Sequence, residues 1–261
     1  MKKCVIPLVI ACTFLVAGVQ DALSQGPAGS QDPSMNFIKV NLTAPLIKNY
    51  SLQYERVLSR NFSAALSIRF MPETGLPYSD RIIDLAEITD PDEKEIIENL
   101  LVSNFAITPE VRYYMGKKKY GTGFYLSLFY RYGSFTMAND AIDYEPEEGD
   151  PVNLDLTGEV TAHTGGLMIG SQWALGKFMC LDFWILGPHF GISSGSAEAL
   201  SSEELPLEDQ QDIRNEIDDA LRDADIPMLD YTITTSSNRI NVDFDGPWAG
   251  IRFGLSLGVR F

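Results

Sequence analysis

Residues 253–261 read FGLSLGVRF. Phe253, Leu255, Leu257, Val259 and Phe261 alternate with Gly254, Ser256, Gly258 and Arg260. This is the period-two pattern of a β-strand with one apolar face and one small or polar face. A strand this apolar that finishes on an aromatic residue suits the closing strand of an outer-membrane barrel, whose outside meets lipid and whose inside meets a polar lumen. A water-soluble sandwich has little use for it.

The same alternation recurs upstream. It predicts strands over 36–44, 50–58, 62–70, 104–114, 124–132, 159–173 and 177–190, with the last strand over 248–261. Val40, Leu52, Leu66, Val111, Leu128, Leu167 and Phe183 then share the apolar face. Pro109 interrupts the row in the fourth strand, and a bulge is expected there because proline has no ladder N–H. Three connections are short (59–61, 115–123 and 174–176). Of the other four, 45–49 is short and 71–103, 133–158 and 191–247 are long. Short and long connections alternate, as in outer-membrane barrels. Asp90-Pro91 opens a short helix in the second of these connections, and Ile213, Ile217 and Leu221 mark another over 208–224 in the fourth. Tyr50, Phe70, Tyr113, Tyr132, Trp173, Phe190, Trp248 and Phe261 gather near strand ends, where interfacial girdles belong. The expected fold is all-β: an eight-stranded antiparallel up-and-down transmembrane barrel with short helices in long extracellular loops.

The chain has 261 residues and a formal charge of −16. After residue 20 it has no apolar run long enough for a spanning helix. The negative balance argues against nucleic-acid binding. Met1-Lys2-Lys3, an apolar stretch from Cys4 to Val19 and Ala22-Leu23-Ser24 read as a signal peptide over 1–24, cleaved before Gln25. Residues 25–35 are a Gly/Pro/Ser tether and 36–261 the barrel. Cys4 and Cys12 leave with the leader, so Cys180 is the one thiol of the mature chain and fills the lumen.

Charges fall on the polar parity of the strands: Lys39, Glu55, Arg69, Glu110, Arg112, Arg131, Asp182, Arg252 and Arg260. Pairing Leu42 with Leu52 sets Lys39 opposite Glu55. An eight-stranded lumen is only wide enough for its side chains to fill it, and buried charges must be paired. These residues are therefore read as a charge network that closes the lumen, with a narrow pore as the alternative. The long connections carry −7, −7 and −11. This acidity is read as a solvated surface. Asp140 to Asp155 could offer oxygens to a divalent cation, but no segment has the spacing of a calcium loop, so no metal and no cofactor is expected. Pairing Leu167 with Phe183 turns both His163 and His189 outward at the lipid boundary. A lipid-active enzyme of acyl hydrolase or acyltransferase type is thus a further alternative. Gly165 stands where a neighbouring serine would be needed, so the chain is read as no enzyme.

Lys39-Val40-Asn41-Leu42, Tyr54-Glu55-Arg56-Val57-Leu58 and Thr108-Pro109-Glu110-Val111-Arg112-Tyr113-Tyr114 carry a resemblance. The chain resembles an uncharacterised outer-membrane barrel family of Bacteroidetes-type bacteria, a domain of unknown function. The resemblance implies an eight-stranded barrel like OmpA or OmpX and carries over no catalytic or ligand residue. The final strand also resembles the signal by which barrel-assembly machinery recognises its substrates, here ending in Phe261. The expectation is a monomeric outer-membrane protein, structural or surface-interacting. Its partners are outer-membrane lipid, lipopolysaccharide, the assembly machinery and an unknown extracellular molecule.

Overall fold

A computed structural model describes residues 35–89, 91–116, 120–144, 152–223 and 226–261. The expected leader, nearly all of the tether, the Asp90 cap, Lys117 to Lys119 and the side chains of 140–153 lie outside the described residues.

Among the described residues nine antiparallel strands form one sheet: β1 (Asn36–Asn41), β2 (Tyr50–Val57), β3 (Phe62–Gly75), β4 (Leu101–Tyr114), β5 (Gly123–Tyr144), β6 (Val152–Leu175), β7 (Met179–Ser201), β8 (Asp230–Ser236) and β9 (Arg239–Arg260). Each of β1 to β7 pairs with the next in sequence except β7, which pairs with β9. The sheet curls until β9 also lies against β1, with Phe37 opposite Arg260 and Asn41 opposite Ser256. β8 pairs only with the loop-side end of β9 and stays outside the ring. Among the described residues three α-helices decorate the connections, α1 (Ser79–Leu85), α2 (Pro91–Asn99) and α3 (Leu207–Asp223), and a 3-10 turn, Ala44–Ile47, sits in the first.

All eight expected strands form. The expected loops over 133–158 and 191–247 are largely wrong. β5 runs on to Tyr144, β6 begins at Val152, β7 reaches Ser201 and β9 starts at Arg239. Acidic residues are compatible with these extensions because each strand finds a neighbour for its backbone groups while the side chains of Asp155, Asp243 and Asp245 are exposed. β8 and α1 have no counterpart in the sequence reading.

The registers differ too. Val40, not Leu42, pairs with Leu52, so Lys39 sits opposite Gln53. The Asn41 side chain accepts hydrogen bonds from the backbone N–H groups of Thr43 (2.8 Å) and Ala44 (2.9 Å), which lifts the chain out of the ladder early. A slip of two residues preserves every face. Between β6 and β7 the tip is 176–178, and Phe183 pairs with Ser171 rather than Leu167. β7 also carries one extra residue between Trp184 and Gly187, a β-bulge, so Ile185 and Leu186 are both exposed and the parity beyond them flips. Pro109 causes no bulge. The register with β5 is the same on both sides of it, and the proline costs ladder bonds alone.

The polarity of the ring is inverted relative to a soluble protein. Leu128 (64% exposed), Phe190 (63%) and Phe253 (70%) face outward, while Lys39 (1%), Glu55 (0%) and Arg112 (0%) are sealed inside. Aromatic pairs stand at both ends of the same outer face. Tyr50 stacks on Phe70 at 5.4 Å on the loop side, and Phe62 meets Tyr113 at 5.1 Å on the turn side. Trp248 is not among them, because it shares the inward parity of Arg252 and packs on Phe135. Beyond the ring, Leu205, Ile213 and Ile240 form a small separate core with Ala199, Ile217 and Ile233.

Candidate functional site

The interior is divided in two along the axis. In the turn-side half, β1, β2, β4 and β7 each project charged side chains to one point. Lys39 Nζ donates to Glu55 (2.5 Å), Gln172 Oε1 (2.7 Å) and Asp182 (2.7 Å), which uses all three ammonium protons. The Arg112 guanidinium reaches Glu110 (2.6 Å), Asp182 (2.7 Å) and Glu55 (3.1 Å), and also donates to Gln53 Oε1 at 3.1 Å. Its flat face covers the Tyr125 ring, 4.3 Å from the centroid.

Hydroxyls complete the carboxylates. Ser63 and Tyr114 donate to Glu55, and Tyr125 donates to Asp182 at 2.9 Å. Tyr125 reaches its partner because Gly170 opposite has no side chain; a Cβ there would collide with the tyrosine ring. Arg252 forms the upper edge of the network. It meets Glu110 at 3.4 Å and lies against the rings of Phe129 (4.5 Å) and Trp184 (4.8 Å). Below, Phe37, Val57 and Cys180 form an apolar floor, with Cys180 fully buried as a filler. Buried ions in a low-dielectric interior are tolerable only with this density of partners.

Of the interior charges read from the sequence, the structure joins Lys39, Glu55, Glu110, Arg112, Asp182 and Arg252. Arg69 and Arg131 are placed higher, in the loop-side half, and neither has an ion-pair partner among the described residues. Arg260 lies at the turn-side rim and donates to the Lys177 carbonyl at 2.9 Å. Gln53, Ser63, Tyr114, Tyr125 and Gln172 belong to the network although the sequence reading gave them no such role. Their inward parity was visible, but polar neutrality hid their part.

The loop-side half is an open cup of about 580 Å³, lined by Arg69, Arg131, Arg252, His189, Trp184 and Trp248 among others. His189 is therefore not on the outward face expected for it, since the β7 bulge turns it inward onto Phe129. His163 does face outward, where its Nδ1 shares a 2.6 Å hydrogen bond with the Tyr130 hydroxyl. Among the described residues no group of three His, Cys, Asp or Glu side chains could hold a metal ion.

No curated protein and no solved structure matches the chain. One family model does, over residues 10–190, more than two thirds of the length. Its matched span covers β1 through the first half of β7, and with them the interior carboxylates Glu55, Glu110 and Asp182. The chain thus belongs to the family described as protein of unknown function DUF3575.

Proposed function

We propose that the chain is a small outer-membrane β-barrel of the OmpA or OmpX kind, plugged by its interior ion pairs, which presents acidic loops to the outside as a structural or surface-interaction protein. The observation that carries this reading is the inverted polarity. A continuous belt of Leu, Ile and Phe around a ring with a charged interior is costly in water, far beyond the few hundred Å² of apolar patch that soluble monomers expose. In lipid the same belt is favourable, and the antiparallel ladders that run from β1 round to β9 and back to β1 pair most of the ring's backbone groups. Phe62 and Phe70 are eight residues apart, about 27 Å along the strand, so at a tilt of about 40° the aromatic pairs bracket a band about 20 Å tall. The lipid-acting alternative loses one of its two histidines, because His189 turns inward. The pore alternative meets ion pairs that span the lumen between β1, β2, β4 and β7.

Membrane fractionation with electrophoresis tests the reading. The protein should sediment with outer membranes, require detergent for extraction, and migrate faster unheated than boiled. Recovery in a salt-washed soluble fraction, with no shift on boiling, contradicts it.

A further inference from the structure

Among the described residues the ring interior holds three carboxylates, Glu55, Glu110 and Asp182, and all lie in the plug. Lys39, Arg112 and Arg252 match them one for one. Arg69 and Arg131 are left over, and with Arg252 they line a cup in which none of the described lining residues is acidic. Arg131 is only 8% exposed. Its Nη2 and the Arg69 Nε are sealed from the surface and have no hydrogen-bond partner in the protein among the described residues. The same holds for His189 Nδ1. Among the described residues the acidic loops supply no counter-charge, since no ion pair joins either arginine to an acid there. Two unmatched guanidinium groups beside a third repel one another and cost stability. Neighbouring wall positions are filled by Ser51, Ser67 and Thr108 without that cost.

An anion removes the cost. Guanidinium groups present paired donors in the geometry that carboxylate and phosphate oxygens accept. The volume is that of a small-molecule site, and the remaining walls include the flat rings of Phe135, Trp184 and Trp248. We propose that the loop-side cup binds a small organic oxyanion, a carboxylate or phosphate on a flat apolar body, with Arg69 and Arg131 holding the anion and the aromatic rings the body. The site depends on the interior alone, so it stands or falls separately from the membrane reading.

The test is calorimetric titration of the mature chain in non-ionic detergent, with phenyl phosphate as the probe and benzyl alcohol as its neutral counterpart. Phenyl phosphate should bind at one site, at least about tenfold more weakly in Arg69→Gln and Arg131→Gln. Arg131→Lys should be intermediate, and Arg56→Gln, on the outer face, unchanged. Arg131→Gln should also raise the thermal midpoint without probe, because it deletes an unmatched buried charge; a fall in that midpoint would overturn the charge argument. The proposal is likewise overturned by absence of binding up to about 10 mM, by equal binding to every variant, or by equal binding of the neutral probe.

Discussion

Arg112 shows what a single residue does in this interior. One guanidinium meets Glu55, Glu110 and Asp182, so its removal leaves three carboxylates with Lys39 and the more distant Arg252. Removing one partner of a buried network leaves uncompensated charge, at a cost of about 3–5 kcal/mol. Arg112→Met should lose that much in urea unfolding of the detergent-solubilised protein. A loss under about 1 kcal/mol would show that the network is solvated rather than sealed. Parity alone identified which charged residues point inward. It could not tell matched charges from surplus ones, because that depends on depth along the axis. The two-residue slip between β1 and β2 and the two-residue shift of the tip between β6 and β7 both moved that depth.

At the level of elements, the strands were legible because alternation is a local signal. Their lengths were not. Beyond the apolar belt the outward row loses its oily residues, and a strand that merely stands in water looks like a loop when read by hydropathy. The bulge in β7 left no sequence signal at all: Ile185 and Leu186 read as one outward and one inward residue until the ladder with β9 shows both exposed. His189 was misplaced for that reason alone. Helix α3 was readable from its fourfold spacing, and Ile213 and Ile217 do meet Leu205 and Ile240. That small core stands apart from the ring, so it should open on its own. Ile213→Asp places a charge in it at more than about 2 kcal/mol, enough to raise the open population at least about tenfold. Trypsin cleavage after Arg214 and Arg222 should accelerate by that factor while the ring keeps its electrophoretic shift on heating. Loss of that shift together with cleavage would show that α3 and the ring unfold as one unit.

For the whole molecule, the arrangement is a ring closed by β1 against β9, sealed by ion pairs near its short turns and open as a cationic cup near its long, acidic connections. We propose that the outer face of the ring meets lipid and the inner face does not. Single cysteines at positions 126 to 131 of β5, placed in a Cys180→Ala background and spin-labelled in lipid vesicles, test it directly. Leu126→Cys, Leu128→Cys and Tyr130→Cys should be reached by oxygen from the bilayer and shielded from a water-soluble nickel chelate. Ser127→Cys, Phe129→Cys and Arg131→Cys should lose the oxygen preference, giving a period of two. Strong relaxation of the labels at 126, 128 and 130 by the nickel chelate would place that face in water and contradict the account.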